Sequence, residues 1–125
     1  TPWCDPVAAP APRTVGPLVR AHPELATTMD DWIDRDDMWL ARTALIHQLT
    51  YKQATDVERL FRSCRRRAGD REFFIRKAIG WALREYSKTD EAAVRGFVAE
   101  MGDELSPLSR KEALKWLDRR AARAR

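Results

Sequence analysis

Apolar residues recur every three or four positions along most of the chain, which is the spacing of one face of a helix. A clear example is a predicted helix from residue 38 to about residue 51, whose apolar face includes Leu40 and Ala44. No segment shows the alternation of apolar and polar residues that marks a strand, so the chain is predicted to be all-α. The residues predicted to form the core are Leu45, Leu49, Phe73, Phe74, Ile79 and Leu83.

Helix-start and helix-stop residues divide the rest of the chain. Residues 1–14 contain four prolines and are predicted to be an extended leader before a helical domain over 15–125. Pro23 ends a short helix over 15–22 and opens another that runs through Trp32. The later predicted helices span 55–69 (opened by the capping box Thr55–Glu58), 72–87, 89–102 and a last segment that starts at Ser106 or Ser109.

A weak internal repeat relates these helices at spacings of 35 and 34 residues. It brings into register the pairs Ala41–Arg42, Arg76–Lys77 and Arg110–Lys111, and likewise Trp39, Phe74 and Leu108. Two helices per unit of this length are typical of a HEAT-like α-solenoid, which is the predicted architecture. The basic pairs either form a ladder along a concave face suited to a nucleic-acid backbone, or simply solvate the start of each helix.

The segment before residue 38 is strongly acidic. Its charged and aromatic residues are Asp30, Asp31, Asp34, Asp36 and Asp37, bracketed by Trp32 and Trp39. Acidic side chains are favoured at a helix N-terminus by capping and by the helix dipole, which accounts for one or two of them. Trp32 and Asp36 are four residues apart, so a continuous helix would turn both toward one cleft. The alternative is that Trp32 belongs to the core and that Asp36 or Asp37 caps the next helix.

An indole and a carboxylate together suit a cationic ligand. The face of an indole ring binds cations, and a fixed carboxylate stabilises the positive charge that develops when a glycosidic bond breaks. A carboxylate facing nucleic acid is otherwise repelled by phosphates. If the acidic segment binds a substrate, that substrate is therefore predicted to be cationic.

Composition narrows the class of protein. With 125 residues, 44% of them hydrophobic and 34% charged, the chain is predicted to be one water-soluble domain with its own core. The net charge of +4 is compatible with a polyanionic partner. Cys4 and Cys64 are far apart and are predicted to be free thiols in a reducing compartment, the cytoplasm. No apolar run approaches the length of a membrane span, so no membrane partner is expected.

Several other kinds of site are disfavoured. His22 and His47 lack metal-ligand spacing with each other or with cysteine, so no metal site is predicted. His47 lies within a predicted helix and is interpreted as a packed or hydrogen-bonded histidine. The five glycines form no phosphate-binding loop, and no cofactor is predicted.

From Val15 to Leu117 the sequence resembles the C-terminal part of the AlkD-like family, the HEAT-repeat DNA alkylation repair glycosylases. The resemblance is carried by Val15–Val19, His22–Leu25, Trp32–Gln48, Arg71–Thr89 and Leu105–Lys115. It implies excision of positively charged purines, such as 3-methyladenine and 7-methylguanine, from double-stranded DNA. Such enzymes cut the N-glycosidic bond without flipping the base into a deep pocket. The resemblance also implies a monomer associated with the bacterial nucleoid.

The resemblance assigns roles to particular residues. Asp36 would be the catalytic carboxylate and Trp32 the cleft tryptophan beside it. Arg71 resembles the basic residue that contacts the phosphate of the lesion strand. Arg76, Arg110 and Lys111 are further candidates for DNA contact.

Two departures from the family qualify these roles. The expected second cleft tryptophan has no counterpart in Ser106–Ser109, and Trp116 lies further along, where it is expected in the core. Family members are also about twice as long, so half of the DNA cradle would be missing from this chain. The alternative function is a non-catalytic helical-repeat module that binds nucleic acid or protein.

Overall fold

The computed structural model describes the backbone of residues 11–124 and the side chains of residues 15–123, and this part of the chain is helical, with no strand. Its α-helices are α1 (Ala11–Ala21), α2 (Ala26–Trp32), α3 (Met38–Ile46), α4 (Val57–Arg67), α5 (Phe73–Ser87), α6 (Glu91–Met101) and α7 (Pro107–Ala124), with 3₁₀ turns at Pro23–Leu25, Lys52–Ala54 and Gly102–Glu104. None of these helices has the length and apolar character that crossing a bilayer requires.

Helices α3, α5 and α7 form one layer, in which α5 packs against both neighbours and most extensively against α7. Helices α4 and α6 also pack against α5, while α1 and α2 cover α3. The helices of the layer are the ones that the sequence spacing relates, and the predicted all-α, solenoid-like fold is confirmed. Gly80 permits the closest approach, because a Cβ atom there would lie 2.5 Å from Cβ of Glu112 on α7.

The core lies where these layers meet. On α5, Ile75, Ile79 and Leu83 recur every four residues and are at most 1% exposed. Leu45 on α3 is equally enclosed, and Leu49 is half-buried. The predicted core positions 45, 79 and 83 are therefore confirmed.

The two adjacent phenylalanines at the start of α5 were predicted to be core, and this prediction is wrong. The side chain of Phe73 is 53% exposed and that of Phe74 is 40% exposed. The helix begins at Phe73, so both rings lie in its first turn. There they pack on each other and on Trp39 instead of under a neighbouring helix.

The N-terminal boundary also differs from the prediction. The described part of α1 spans Ala11–Ala21, so residues 11–14 of the predicted extended leader are helical. Residues 1–10 of that leader lie outside the described residues.

The predicted ends of two central helices shift as well. Helix α3 ends at Ile46, and turns replace the predicted helix from there to Tyr51. Helix α4 is capped by Asp56, whose side chain accepts a hydrogen bond from the backbone N–H of Arg59 at 3.1 Å. Thr55, the predicted first residue of the capping box, therefore lies outside the helix.

Two buried side chains match their interpretation. His47 is 2% exposed, and its Nδ1 lies 2.6 Å from the carbonyl oxygen of Ala44. Burial lowers the pKa of His47, so the ring stays neutral within the core. Cys64 is a free buried thiol whose pKa is raised to about 12 by loss of solvent, while Cys4 lies outside the described residues.

Candidate functional site

The first turns of α3, α5 and α7 lie next to one another. The ring of Trp39 on α3 lies 5.4 Å from the ring of Phe74 on α5. Oγ of Ser109 on α7 donates a hydrogen bond to the carbonyl oxygen of Arg76 on α5 at 2.8 Å. The loops before these helices therefore share one side of the molecule, here called the N-terminal edge and defined as residues 34–39, 70–74 and 106–110.

The acidic segment is largely neutralised by arginines. Its ion pairs join Asp30 to Arg59 at 2.9 Å and to Arg62 at 3.3 Å, Asp31 to Arg35 at 2.8 Å, and Asp34 to Arg66 at 2.6 Å. Most of these arginines come from α4, which runs beside the acidic segment. The hydrogen bond from Arg59 lowers the pKa of Asp30, so this carboxylate stays ionised.

Asp36 differs from its four acidic neighbours. Its side chain is exposed and, among the described residues, has neither an ion-pair partner nor a hydrogen bond. Asp37 fills the capping role, because its carboxylate accepts hydrogen bonds from the backbone N–H groups of Trp39 and Leu40. The loop therefore holds one carboxylate with no structural task, and that carboxylate is Asp36.

Trp32 is placed differently from the prediction. It is the last residue of α2, so no continuous helix carries it and Asp36 on one face. The chain breaks here because a new cap forms at Asp37. The indole of Trp32 is half-buried and packs against the core, as the alternative interpretation of this residue had it.

The turn between Trp32 and Asp36 is held by a residue that the sequence reasoning missed. Nε of Arg67, at the end of α4, donates to the carbonyl oxygen of Ile33 at 2.7 Å, and Nη2 donates to the carbonyl oxygen of Arg35. These carbonyls follow the end of a helix and have no partner within it. The run of three arginines at 65–67 was the available signal, but nothing in it distinguishes the third from the other two.

Arg71 lies in the next loop of the N-terminal edge. Its side chain is exposed, and it forms no ion pair among the described residues. The residues on both sides are fixed, because the carboxylate of Asp70 accepts a hydrogen bond from the backbone N–H of Glu72 at 2.8 Å. Arg71 is therefore a free cation on a restrained backbone.

The other predicted cations divide into two kinds. Nε of Arg76 donates to the carbonyl oxygen of Asp70 at 2.9 Å, and Arg110 binds the carbonyl of Gly102. Arg76 therefore holds a loop of the N-terminal edge, and Arg110 holds the 3₁₀ turn that precedes α7. Lys111 is exposed, and like Arg71 it has no ion-pair partner in the described part of the chain.

The exposed aromatic residues form a continuous patch on the same edge. The rings of Phe73 and Phe74 are 5.4 Å apart and nearly perpendicular, and Phe74 meets Trp39 at the same distance. The two phenylalanines were predicted to be core, so this patch was not expected from the sequence. Trp116, also predicted to be core, is half-buried on α7 with Arg120 over its ring at 5.3 Å.

Comparison with known proteins identifies a family and similar solved structures. A family described as "DNA alkylation repair enzyme" matches residues 1–117. The solved structure of a "Predicted DNA alkylation repair enzyme from Enterococcus faecalis" is 35% identical, with a TM-score of 0.83, over 92% of this chain. The match covers 53% of that structure, so the present chain spans about half its length. No curated protein matches the chain.

Proposed function

Because the chain belongs to the DNA alkylation repair enzyme family, we propose that it is a DNA glycosylase that excises positively charged alkylated purines. The lesions it takes are of the 3-methyladenine and 7-methylguanine type. It acts as a monomer on double-stranded DNA and hydrolyses the N-glycosidic bond. The observation that carries this proposal is the carboxylate of Asp36, which has no partner among the described residues, whereas the other four aspartates of the acidic segment each have one.

One free carboxylate suffices for this reaction. When the bond between C1′ and the purine nitrogen breaks, its electron pair leaves with the base. A cationic base becomes neutral as it leaves, so no acid is needed to protonate it, unlike the two-carboxylate hydrolysis of ordinary glycosides. The sugar becomes an oxocarbenium-like cation, which the negative charge of Asp36 stabilises. Water adds to C1′, its proton passes to Asp36 or solvent, and an abasic site remains.

The exposure of Asp36 fits a lesion that stays at the surface of the protein. An exposed carboxylate on a loop can approach a deoxyribose in the DNA backbone without a deep base pocket. The half-buried indole of Trp32, four residues earlier, supplies a ring near the start of the same turn, and such a ring attracts cationic groups. Both features favour a reaction at the sugar of a distorted duplex.

The rest of the N-terminal edge supports DNA binding. Arg71 on this edge, and Lys111 directly after it, are exposed cations without an ion-pair partner among the described residues, so they can contact phosphates. Phe73 and Phe74 offer exposed ring surface, on which unstacked bases or sugars can pack.

A second candidate function is a non-catalytic module that binds DNA. It is favoured by the internal roles of Arg76 and Arg110, which leave fewer cations for phosphate contact. In this alternative the N-terminal edge binds DNA but releases no base.

The test is base release from methylated duplex DNA. The chain is incubated with DNA that carries methylated purines, and free 3-methyladenine and 7-methylguanine are measured by chromatography, beside a longer family member. Release that is enzyme-dependent and leaves abasic sites is the expected result. DNA binding without release would favour the binding module, and absence of both would contradict the proposal.

A further inference from the structure

Arg67 connects two loops of the N-terminal edge. Besides its bonds to the carbonyl oxygens of Ile33 and Arg35, its Nη1 donates to the carboxylate of Asp70 at 2.9 Å. All three nitrogen atoms of the guanidinium group are thus engaged. One half of this arrangement lies next to Asp36, and the other half lies next to Arg71.

The Asp70 side of the link is equally well defined. One carboxylate oxygen of Asp70 accepts from Arg67, and the other accepts from the backbone N–H of Glu72 at 2.8 Å. The carbonyl oxygen of Asp70 accepts from Nε of Arg76 at 2.9 Å. Asp70 is therefore fixed at both its side chain and its backbone, immediately before Arg71.

We propose that Arg67 is a positioning residue that sets the placement of the Asp36 carboxylate relative to Arg71. The inference rests on the proposed glycosylase function, in which Asp36 stabilises the sugar cation and Arg71 contacts a phosphate. Arg67 touches neither DNA nor the reacting atoms. It acts by holding the backbone on the N-terminal side of Asp36, while the cap at Asp37 holds the other side.

Positioning matters here because the Asp36 side chain has no partner of its own among the described residues. An exposed side chain on a free loop would reorient when the sugar becomes cationic, whereas a pre-organised charge requires no such reorganisation. Misplacing a reacting group by about 1 Å can cost about 10²-fold in rate. The restraint on the backbone is thus the means by which this loop can hold a catalytic charge in place.

The geometry requires arginine. A planar guanidinium presents donors in a rigid fork, whereas a lysine ammonium is a point charge and cannot span two carbonyls and a carboxylate. The Arg67 side chain is 20% exposed, which protects its bonds from solvent. Arg66, its neighbour on α4, is 59% exposed, and within the described residues its hydrogen bonds and ion pair go to the side chain of Asp34 alone. Arg66 is therefore a matched control.

The first test compares Arg67→Lys with Arg66→Lys under single-turnover and steady-state conditions. We expect Arg67→Lys to lower kcat by about 10²-fold with KM for DNA changed less than twofold, and Arg66→Lys to leave both unchanged. Asp70→Asn keeps the oxygen that binds Glu72 but weakens the link to Arg67, and we expect a smaller fall in kcat. Unchanged kcat in both Arg67→Lys and Asp70→Asn would overturn the proposal.

A double-mutant cycle separates positioning from general loss of structure. If Arg67 acts through Asp36, Arg67→Lys has no further effect on the excision rate in the Asp36→Asn background. If Arg67 only stabilises the fold, the two rate losses multiply. Multiplying losses would overturn the proposal.

Amide hydrogen exchange tests the same idea without any activity. We expect Arg67→Lys to speed exchange at the backbone N–H groups of residues 34–36 while α5 keeps its protection, and Arg66→Lys to do neither. If the wild-type chain excises nothing but exchange responds in this way, the glycosylase function fails and the restraint on the loop stands. If exchange in 34–36 is unchanged, the positioning role fails even when the chain is an active glycosylase.

Discussion

Asp37 begins helix α3 by accepting a hydrogen bond from the backbone N–H of Trp39 at 2.9 Å. Its backbone is extended, with φ of −67° and ψ of 112°, as is usual for the residue that caps a helix. This bond assigns different tasks to two adjacent aspartates. Asp37 starts the helix, and Asp36 is left with its carboxylate in solvent.

The capping role of Asp37 predicts a stability effect with no effect on chemistry. Asp37→Ala should lower the free energy of unfolding by about 1 kcal/mol, whereas Asp37→Asn should change it by a few tenths, because asparagine caps as well as aspartate. Urea unfolding followed by circular dichroism measures both. Equal stability of Asp37→Ala and wild type would show that the cap contributes nothing.

The exposed phenylalanines predict an effect on DNA binding with little effect on stability. Phe73→Ala and Phe74→Ala together should weaken DNA binding by about tenfold, because each stacked base loses its ring, while each should cost less stability than a buried residue. Leu83→Ala, at 0% exposure, should cost about 2–5 kcal/mol. Fluorescence anisotropy with a labelled duplex measures the affinity.

Leu18→Ala is the control for the aromatic patch. Leu18 is also a large exposed apolar residue, at 49%, but it lies on α1, whose Gly16 contacts His47 just past the C-terminal end of α3. We expect its replacement to leave DNA affinity unchanged. Equal losses from Leu18 and from the phenylalanines would indicate a non-specific surface effect.

The helices were predictable because their signals are local. Asp90 and Ser106 cap α6 and α7 close to the helix starts predicted at residue 89 and at Ser106, and the apolar period of α5 marked Ile79 and Leu83 correctly. The error at Phe73 has a physical origin. Periodicity identifies a face of a helix, but it does not tell whether a neighbouring helix reaches the first turn.

The site was only partly predictable for a related reason. Asp36 and Asp37 could each cap α3. Which of them does so depends on whether the helix begins one residue earlier or later, and the other aspartate is left without that role. The ion pair of Asp34 with Arg66 and the bonds from Arg67 join residues 32–34 positions apart. Such partners depend on how α4 packs beside the acidic segment, which no local pattern reveals.

The exposed cation Arg71 predicts how DNA affinity depends on salt concentration. Arg71→Glu should weaken DNA binding and reduce the slope of log affinity against log salt by about one, because one phosphate contact is lost. Arg123→Glu changes the net charge equally, but it lies near the end of α7 and should have a smaller effect. Affinities measured across a salt series test this. Identical losses from both variants would mean that only net charge matters.

The ion pair of Asp30 and Arg59 predicts a dependence of stability on pH. Because the pKa of Asp30 is lowered in the folded protein, the pair stabilises the fold fully above the ordinary pKa of 3.8. That contribution disappears as the pH falls through the lowered value. Asp30→Asn should therefore be less stable than wild type by about 1 kcal/mol at pH 7, and the difference should shrink in acid.

Asp31→Asn is the control for this pH dependence. Asp31 pairs with Arg35 four residues away, and its side chain is 57% exposed. Exposed pairs of this kind contribute little. Urea unfolding at several pH values should show no comparable change, and a difference for Asp30→Asn that is constant with pH would contradict the linkage.

The central claim is that Asp36 stabilises the sugar cation, and single-turnover excision by Asp36→Asn tests it most directly. This change keeps the size of the side chain and removes its charge, and stability should stay within about 1 kcal/mol because the group is exposed. We expect the rate of release of methylated purine to fall by about 10²–10³-fold, with DNA affinity kept or improved and Asp37→Asn close to wild type. Excision by Asp36→Asn at the wild-type rate would contradict the account.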